Sequence, residues 1–313
     1  MQIAPAPDPA AVAIRNGLFA GLAVVTVGYL IVLIRALRAR AAAGETVKSP
    51  WAIWPVSLIA NFFDTLGIGS YATTTSMFRH WNLVRDEKIP GTLNVGYVLP
   101  TVLQAFIYTT IVPVGTTTLI TMIGAAVLGA WLGAGVVSSW PRRTVQIGMG
   151  LCLLAAAVLF TLQVLNKVPG GGTMLELTGG KLGLAIAGNF MLGALMTLGI
   201  GLYGPCMILI SLLGMDPKVA FPIMMGSCAF LMPMASVRFV RTGGFDPKAV
   251  IGMTIAGLPA VLIAAFIVKS MPLNPMKILV VIVVTYTAVN LLRAARRERD
   301  LASKATAAEA SPA

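Results

Sequence analysis

The heptapeptide TLGIGSY at residues 65–71 occurs a second time, with one change, as TLGIGLY at residues 197–203. Each copy lies inside a long apolar segment, the first running from Trp51 to Arg79 and the second from Lys181 to Leu213. Both segments are longer than one membrane crossing requires at about 1.5 Å of rise per residue. The Gly-x-Gly in each segment weakens a helix near its middle. We therefore predict that each segment folds as two half-helices that meet at the glycines.

The composition places these segments in a membrane. Hydrophobic residues make up 57% of the 313 residues and charged residues only 11%, and the mean hydropathy is +0.87. Soluble domains carry roughly 25% charged residues, so this chain has too few charges to cover a water-soluble globule. Several runs of about 20 apolar residues follow one another, which is the length that spans a bilayer. The chain is predicted to be an all-α polytopic membrane protein.

The two heptapeptides belong to a longer duplication. Asp86-Glu87-Lys88 corresponds to Asp216-Pro217-Lys218, and Ser139-Trp140-Pro141 corresponds to Ser270-Met271-Pro272, in the same order and with nearly the same spacing. We predict two homologous halves, each with one broken helical hairpin and three transmembrane helices. The predicted divisions are an N-terminal tail, transmembrane helix and cytoplasmic loop at 1–50, the first half at 51–166, an extracytoplasmic linker at 167–180, the second half at 181–294, and a disordered cytoplasmic tail at 295–313.

The distribution of Lys and Arg predicts the topology. If both broken segments enter and leave on one side, that side holds 17 of the 23 Lys and Arg residues and the other side holds six. If both segments cross the membrane, the division is 14 to nine. The positive-inside rule favours the first arrangement, with re-entrant hairpins, the N-terminus outside and the C-terminus in the cytoplasm. Three full spans per half is an odd number, so the second half is predicted to be inverted relative to the first.

Several function classes are disfavoured by the residues. The sequence has no HExxH, GxSxG or P-loop motif and only one histidine, so we predict that the protein is not an enzyme. The three cysteines are isolated, with no metal-binding spacing, and neither a metal site nor a cofactor is predicted. The net charge of +12 comes from residues between the apolar segments, without a basic stripe interleaved with aromatics, so no nucleic-acid partner is expected.

A substrate site is predicted where the two hairpins break. The half-helix that follows each pair of glycines presents unpaired N–H groups and the positive end of its dipole, which attract an anion. Nearby hydroxyl, amide and thiol groups complete the expected site, and a single hydroxyl in a membrane helix more often bonds only its own backbone. The predicted substrate-binding residues are Thr65, Gly67, Gly69, Ser70, Thr73, Thr74, Thr92, Asn94, Gly199, Gly201, Tyr203, Pro205, Cys206 and Ser227.

Asp64 is the one carboxylate within a hydrophobic segment. An ionised Asp at mid-membrane costs roughly 2.5–3.5 kcal/mol on insertion scales, so something must offset that cost. Two roles remain open from the sequence: a proton-coupling site, and a cap that accepts backbone N–H bonds of the adjacent half-helix. The corresponding residue of the second half is Met196, so any proton coupling is predicted to be asymmetric.

Three stretches carry a resemblance to a known family: Asp64-Thr65-Leu66-Gly67-Ile68-Gly69, Ile89-Pro90-Gly91-Thr92-Leu93-Asn94 and Tyr203-Gly204-Pro205. With the paired Gly-x-Gly hairpins, they resemble the TauE/SafE sulfite-exporter family over roughly residues 51–294. The resemblance implies a permease of a bacterial-type inner membrane that moves sulfite or an organosulfonate. Asp64-Thr65 and the cysteines of the second half depart from the commoner members of that family.

Together these patterns predict a secondary transporter of a small inorganic or organic anion, in which the two halves rock about a site at the bilayer midplane. An ion channel, with glycine carbonyls and hydroxyls as its filter, is an alternative. A membrane scaffold without transport activity is a further alternative, although such a protein does not need two polar helix breaks. The sequence does not determine the oligomeric state.

Overall fold

The computed structural model of the chain describes residues 9–45, 48–137, 142–165, 167, 172–196, 201–270 and 273–309. Within these ranges the regular structure is helical, apart from one isolated bridge between Met174 and Met215. The helices are α1 (Pro9–Ala42), α2 (Ile53–Thr65), α3 (Tyr71–His80), α4 (Ile89–Ile111), α5 (Thr116–Val137), α6 (Arg142–Val164), α7 (Gly179–Met196), α8 (Tyr203–Leu212), α9 (Ala220–Thr242), α10 (Pro247–Ser270) and α11 (Leu273–Glu309).

Five helical segments of the described chain are long and apolar enough to cross a membrane. They are Val12–Ala42, Gly179–Met196, Pro217–Thr242, Pro247–Val268 and Ile278–Arg299. Many of their large apolar side chains are exposed, as lipid-facing residues are, including Val24, Phe266 and Ile282. The chain is therefore an all-α, multi-pass membrane protein. The set includes α7, which we predicted as one arm of a hairpin.

The order and lengths of the helices repeat. The short helices α3 and α8 each have 10 residues, a 3₁₀ turn of three residues follows each of them, and α4 and α9 each have 23 residues. The short helices also end alike, at a residue with positive φ: Asn82 after α3 (φ 49°) and Gly214 after α8 (φ 92°). The duplication seen in the sequence thus extends to the local structure of the first four helical elements of each half.

The C-terminal tail differs from its prediction. We expected disorder over 295–313, but α11 continues without a break to Glu309. The reason lies in the composition of the segment, because Ala, Arg, Lys and Glu are among the strongest helix formers. A low content of large apolar residues removes a packing surface from this segment, but it does not oppose the helix itself.

The directions of the helices follow from contacts near their ends. α4 and α9 run antiparallel, since Gly91 at the start of α4 lies against Gly244 after α9, while the Tyr108 and Phe221 rings stack at the other ends, 4.9 Å apart. α2 and α10 run parallel, with Ser57 donating to the Met253 carbonyl at 2.8 Å. α5 and α7 also run parallel, because Thr118 accepts from the Leu177 N–H and Met122 from Asn189.

These directions give the bundle two distinct ends. Helices α2, α4 and α10 begin at one end, which we call the basic end because Lys48, Lys88 and Lys248 lie there. Helices α5, α7 and α9 begin at the opposite end, which we call the far end. The major helix pairs, α2 with α10, α4 with α9, α5 with α7 and α6 with α11, each join one half of the chain to the other.

Candidate functional site

The first helix break is a Schellman turn built on glycine. Gly67 follows the end of α2 with a φ of 91°, its N–H donates to the Asp64 carbonyl at 2.8 Å, and the Ile68 N–H donates to the Phe63 carbonyl at 3.1 Å. This pair of bonds requires a left-handed residue, which glycine adopts without strain. Gly69 also has a positive φ, of 85°, and α3 begins two residues later at Tyr71. The predicted interruption of this helix is present.

The first broken segment begins and ends at the same end of the bundle. α2 starts at the basic end, where Ser49 and Ile53 lie against Gly252 of α10. α3 ends beside the start of α4, since Arg79 Nε pairs with Asp86 at 2.9 Å. The chain therefore reaches the break through α2 and returns from it through α3.

The second broken segment has the same form. α7 ends at Met196 and α8 begins at Tyr203. Residues 197–200, including the predicted site residue Gly199, lie outside the described residues. Met174 before α7 accepts from the Asp216 N–H after α8 at 3.0 Å, so this segment begins and ends at the far end.

The Asp64 carboxylate lies at the first break and is 4% exposed. Gln104 on α4 donates to Oδ2 from Nε2 at 3.1 Å, and the Tyr203 hydroxyl donates to the same oxygen at 3.5 Å. The hydroxyl and the backbone N–H of Ser70 also lie near the carboxylate. A backbone N–H at this place, just before α3, suits the capping role.

The two breaks meet through these contacts. Tyr203 is the first residue of α8, so its bond to Asp64 joins the break of one half to the break of the other. On the opposite face of the first break, a Cβ atom added to Gly67 would lie 2.3 Å from Met207 Cε of α8. Backbone at Gly67 and side chains of α8 are thus in close contact within the buried core.

Hydroxyl and amide groups satisfy the buried end of α2. The Gln104 Nε2 donor that reaches Asp64 also reaches Thr65 Oγ1 at 2.9 Å, and the Tyr108 hydroxyl donates to the Thr65 carbonyl at 2.8 Å. Both interactions are fully buried, where a carbonyl without a donor would be costly. The Gln104 Oε1 atom itself is buried without a hydrogen-bond partner among the described residues.

The remaining predicted residues of α3 bond tyrosines. Thr74 exchanges a short hydrogen bond with the Tyr97 hydroxyl of α4, and Thr73 exchanges one of 2.8 Å with the Tyr286 hydroxyl of α11. Tyr71 lies in the sequence between the break and these two threonines. Its hydroxyl is buried and has no partner among the described residues. The first half therefore brings a hydroxyl-rich surface to the break.

The second half contributes groups of lower polarity, mainly thiols. Pro205 lies in the first turn of α8, where the N–H that proline lacks would have no helical partner. The Cys206 thiol is fully buried, and the Cys228 thiol on α9 lies 3.9 Å from the Met196 sulfur and within hydrogen-bonding reach of Tyr203. This side of the break is lined by sulfur rather than by hydroxyl oxygen.

Three predicted residues are not brought to the cluster around Asp64. Thr92 donates to the Lys88 carbonyl and accepts from the Asp246 N–H at the basic end. Asn94 donates to the Pro90 carbonyl of its own helix at 2.9 Å, and Ser227 donates to the Ile223 carbonyl at 2.7 Å. Each bonds the backbone four residues earlier, which is the common role of short polar side chains in membrane helices.

Five residues of the cluster were not predicted: Gln104, Tyr71, Tyr97, Tyr108 and Cys228. Gln104 could have been predicted from the sequence, because an amide inside an apolar helix needs polar partners wherever it is buried. Nothing in the sequence distinguishes the tyrosines and the cysteine from ordinary core residues, since such residues are common in apolar cores.

Open space borders the cluster. A Cβ atom added to Gly69 or to Gly201 would meet no heavy atom within 4 Å. Gly69 precedes Ser70, and Gly201, which is exposed, lies two residues before Tyr203, so each glycine leaves room near a donor of its own half. Compared with known proteins, the chain matches no family model, no curated protein and no solved structure.

Proposed function

We propose that the protein is a secondary transporter of a small anion and that its substrate binds between the two helix breaks. The observation that carries the proposal is the meeting of the breaks at Asp64 and Tyr203, with neutral donors gathered around them. Irregular backbone at membrane depth is tolerated where it is buried in protein or lines a watery cavity. Paired helix breaks of this kind are typical of the substrate sites of transporters.

We propose further that the two halves are inverted relative to each other and that both broken segments are re-entrant hairpins. The antiparallel course of α4 and α9 supports this arrangement, because equivalent helices of an inverted repeat run in opposite directions. The return of each segment to its starting end also supports it. Each hairpin then enters from a different side of the membrane, and the two meet near the midplane.

The proposed orientation places the basic end in the cytoplasm, with the N-terminus outside and the C-terminus inside. The positive-inside rule supports it, because Arg79, Arg85 and Arg241 join the three lysines of the basic end. The far end, where α1 begins, is the extracytoplasmic end in this arrangement. A bacterial-type inner membrane follows from the resemblance to the sulfite exporters.

The donor set supports a small oxyanion as the substrate. Ser70, Gln104 and Tyr203 are neutral donors, so they bind an anion weakly enough to release it, as transport requires. Sulfite or an organosulfonate is the substrate class implied by the TauE/SafE resemblance. The buried Asp64 is the candidate for proton coupling.

The test is a binding and flux experiment with purified protein. Thermal shifts are measured against sulfite, thiosulfate, sulfate and several sulfonates, and the stabilising anions are then tested for uptake into proteoliposomes. We expect at least one sulfur oxyanion to raise the melting temperature and to be taken up with saturable kinetics. Flux that stays linear in anion concentration would indicate a channel, and no flux of any oxyanion would contradict transport.

A further inference from the structure

The Asp64 carboxylate holds the donors that an oxyanion substrate would need. It accepts from Gln104 of α4 and from Tyr203 of α8, and Ser70 lies nearby, so the donors come from both halves of the chain. A carboxylate and a sulfonate both present oxygens that share one negative charge. The side chain therefore already occupies the site as an anion tethered to α2.

No cation compensates this charge among the described residues. The titratable groups that face Asp64 are Tyr71 from α3, Tyr97 and Tyr108 from α4, Tyr203 from α8 and Cys228 from α9. Arg40 pairs with Glu45 and Arg79 pairs with Asp86, and neither pair involves these groups. A second anion beside an ionised Asp64 would meet strong repulsion, because buried charges are poorly screened.

Two glycines leave room beside these donors. Gly69 precedes Ser70 and Gly201 lies two residues before Tyr203, and a Cβ atom at either glycine would contact nothing within 4 Å. An anion in this space reaches the Ser70 and Tyr203 donors only if the carboxylate releases them. Protonation of Asp64 removes its charge and turns one of its oxygens into a hydrogen-bond donor.

We propose that Asp64 and the transported anion compete for one set of donors, so that each anion binds together with one proton. Resting on the proposed function, this inference assigns the substrate as a monovalent oxyanion that crosses the membrane in an electroneutral symport with H⁺. On one side the carboxylate takes up a proton and the donors pass to the anion. On the other side the anion leaves, the proton leaves, and the carboxylate recovers the donors.

The test measures proton uptake when an anion binds. Purified protein in weakly buffered detergent is titrated with methanesulfonate, which stays a monoanion across the pH range, and with sulfite as a second probe. With methanesulfonate, we expect uptake of about one proton per bound anion wherever Asp64 is ionised. In that range the affinity should fall tenfold per pH unit, since each binding event consumes one proton.

Two Asp-to-Asn variants separate the possible outcomes. Asp64→Asn removes the titrating group and retains a neutral side chain, so we expect it to bind methanesulfonate with no proton uptake and no pH dependence. Asp86→Asn, an exposed acid at the basic end, is the matched control and should behave as the wild type. In proteoliposomes, Asp64→Asn should exchange anions but fail to accumulate them in response to a pH gradient.

The outcomes distinguish this inference from the proposed function. Wild-type protein that binds methanesulfonate without taking up protons overturns the competition and leaves the transporter in place. Loss of binding in folded Asp64→Asn at every pH also overturns it, because the carboxylate would then be required by the bound anion. Wild-type protein that binds neither methanesulfonate nor sulfite overturns the proposed function itself.

Discussion

Glycines of the two heptapeptides have different physical tasks. Gly67 has a positive φ and lies against the Met207 side chain, so both its conformation and its lack of a side chain are needed. Gly201 has no left-handed conformation and borders open space. The sequence predicts that both segments break, but it does not predict which glycine the break depends on.

This difference yields a prediction for a pair of alanine variants. Gly67→Ala should destabilise the protein by about 1–2 kcal/mol from its left-handed backbone and by a further 1–3 kcal/mol, roughly, from overpacking against Met207. Gly201→Ala should leave the unfolding midpoint unchanged, since nothing lies near the added methyl group. Thermal or denaturant unfolding in detergent checks both, and equal effects of the two substitutions would contradict the assigned roles.

Polar residues show where sequence reasoning reaches its limit. Thr92 and Asn94 are polar, close in sequence to the first hairpin and similar in type to Ser70, yet they bond the backbone of their own helix. Ser70 reaches Asp64 because the break turns it toward the carboxylate. Gln104 reaches Asp64 across a separation of 40 residues. Such contacts depend on how distant helices pack together, so they cannot be predicted from neighbouring residues in the sequence.

The helices themselves were easier to predict. The two breaks and the repeated order of elements follow from the glycines and from hydropathy, which act within a few residues.

The packing of α5 on α7 depends on small residues on both helices where the two backbones come closest. A Cβ atom at Gly129 would lie 1.9 Å from the Phe190 carbonyl oxygen, and one at Gly193 would lie 2.0 Å from that of Ala126.

Two glycines of α5 provide a matched test of this packing. Gly129→Ala should force α5 and α7 apart and destabilise the protein by about 1–3 kcal/mol, as overpacking against backbone does. Gly124→Ala on the same helix meets nothing within 4 Å and should have no destabilising effect. Unfolding midpoints of the two variants in the same detergent decide the point, and a stable Gly129→Ala would mean that the two helices are not in close contact.

The proposed hairpin topology predicts which loops can be labelled from outside. In a Cys152→Ser background, Thr117→Cys at the far end should react with a membrane-impermeant maleimide in intact cells. Glu87→Cys and Lys248→Cys at the basic end should react only after the cells are opened. If the first broken segment crossed the membrane instead, Glu87→Cys would be labelled and Thr117→Cys would be protected.

At the scale of the whole molecule, the halves are interlocked rather than stacked as two separate domains. Each major helix pair takes one partner from each half. In the α2–α10 and α5–α7 pairs, the first helix of a broken segment in one half packs against a helix of the other half. The loop bond from the Gly115 N–H to the Leu175 carbonyl, at 2.8 Å, also ties the first half to the linker that precedes the second half. Neither half can bury its apolar surfaces on its own.

This interlocking predicts the behaviour of a divided chain. Fragments 1–170 and 171–313, expressed together, should assemble and purify through a tag on either one, whereas each fragment alone should be degraded or aggregate. Gly193→Leu in the second fragment should reduce the yield of the complex, because it obstructs the α5–α7 contact. Fragments that are each stable and monodisperse alone would show that the halves are independent domains.

The N-terminal helix has no counterpart in the duplication. α1 packs along α9, the Tyr29 hydroxyl donates to the Val95 carbonyl at 2.7 Å, and the Arg40 guanidinium lies 4.7 Å from the centre of the Phe245 ring. Two identical inverted copies would be equally stable when open toward either compartment. If the halves exchange conformations as proposed, this unpaired helix contacts both of them from a single flank and removes that degeneracy. The empty carrier should then rest open toward a preferred compartment. Tyr29→Phe removes the hydrogen bond to Val95 and should bring the inward-open and outward-open populations closer to equality.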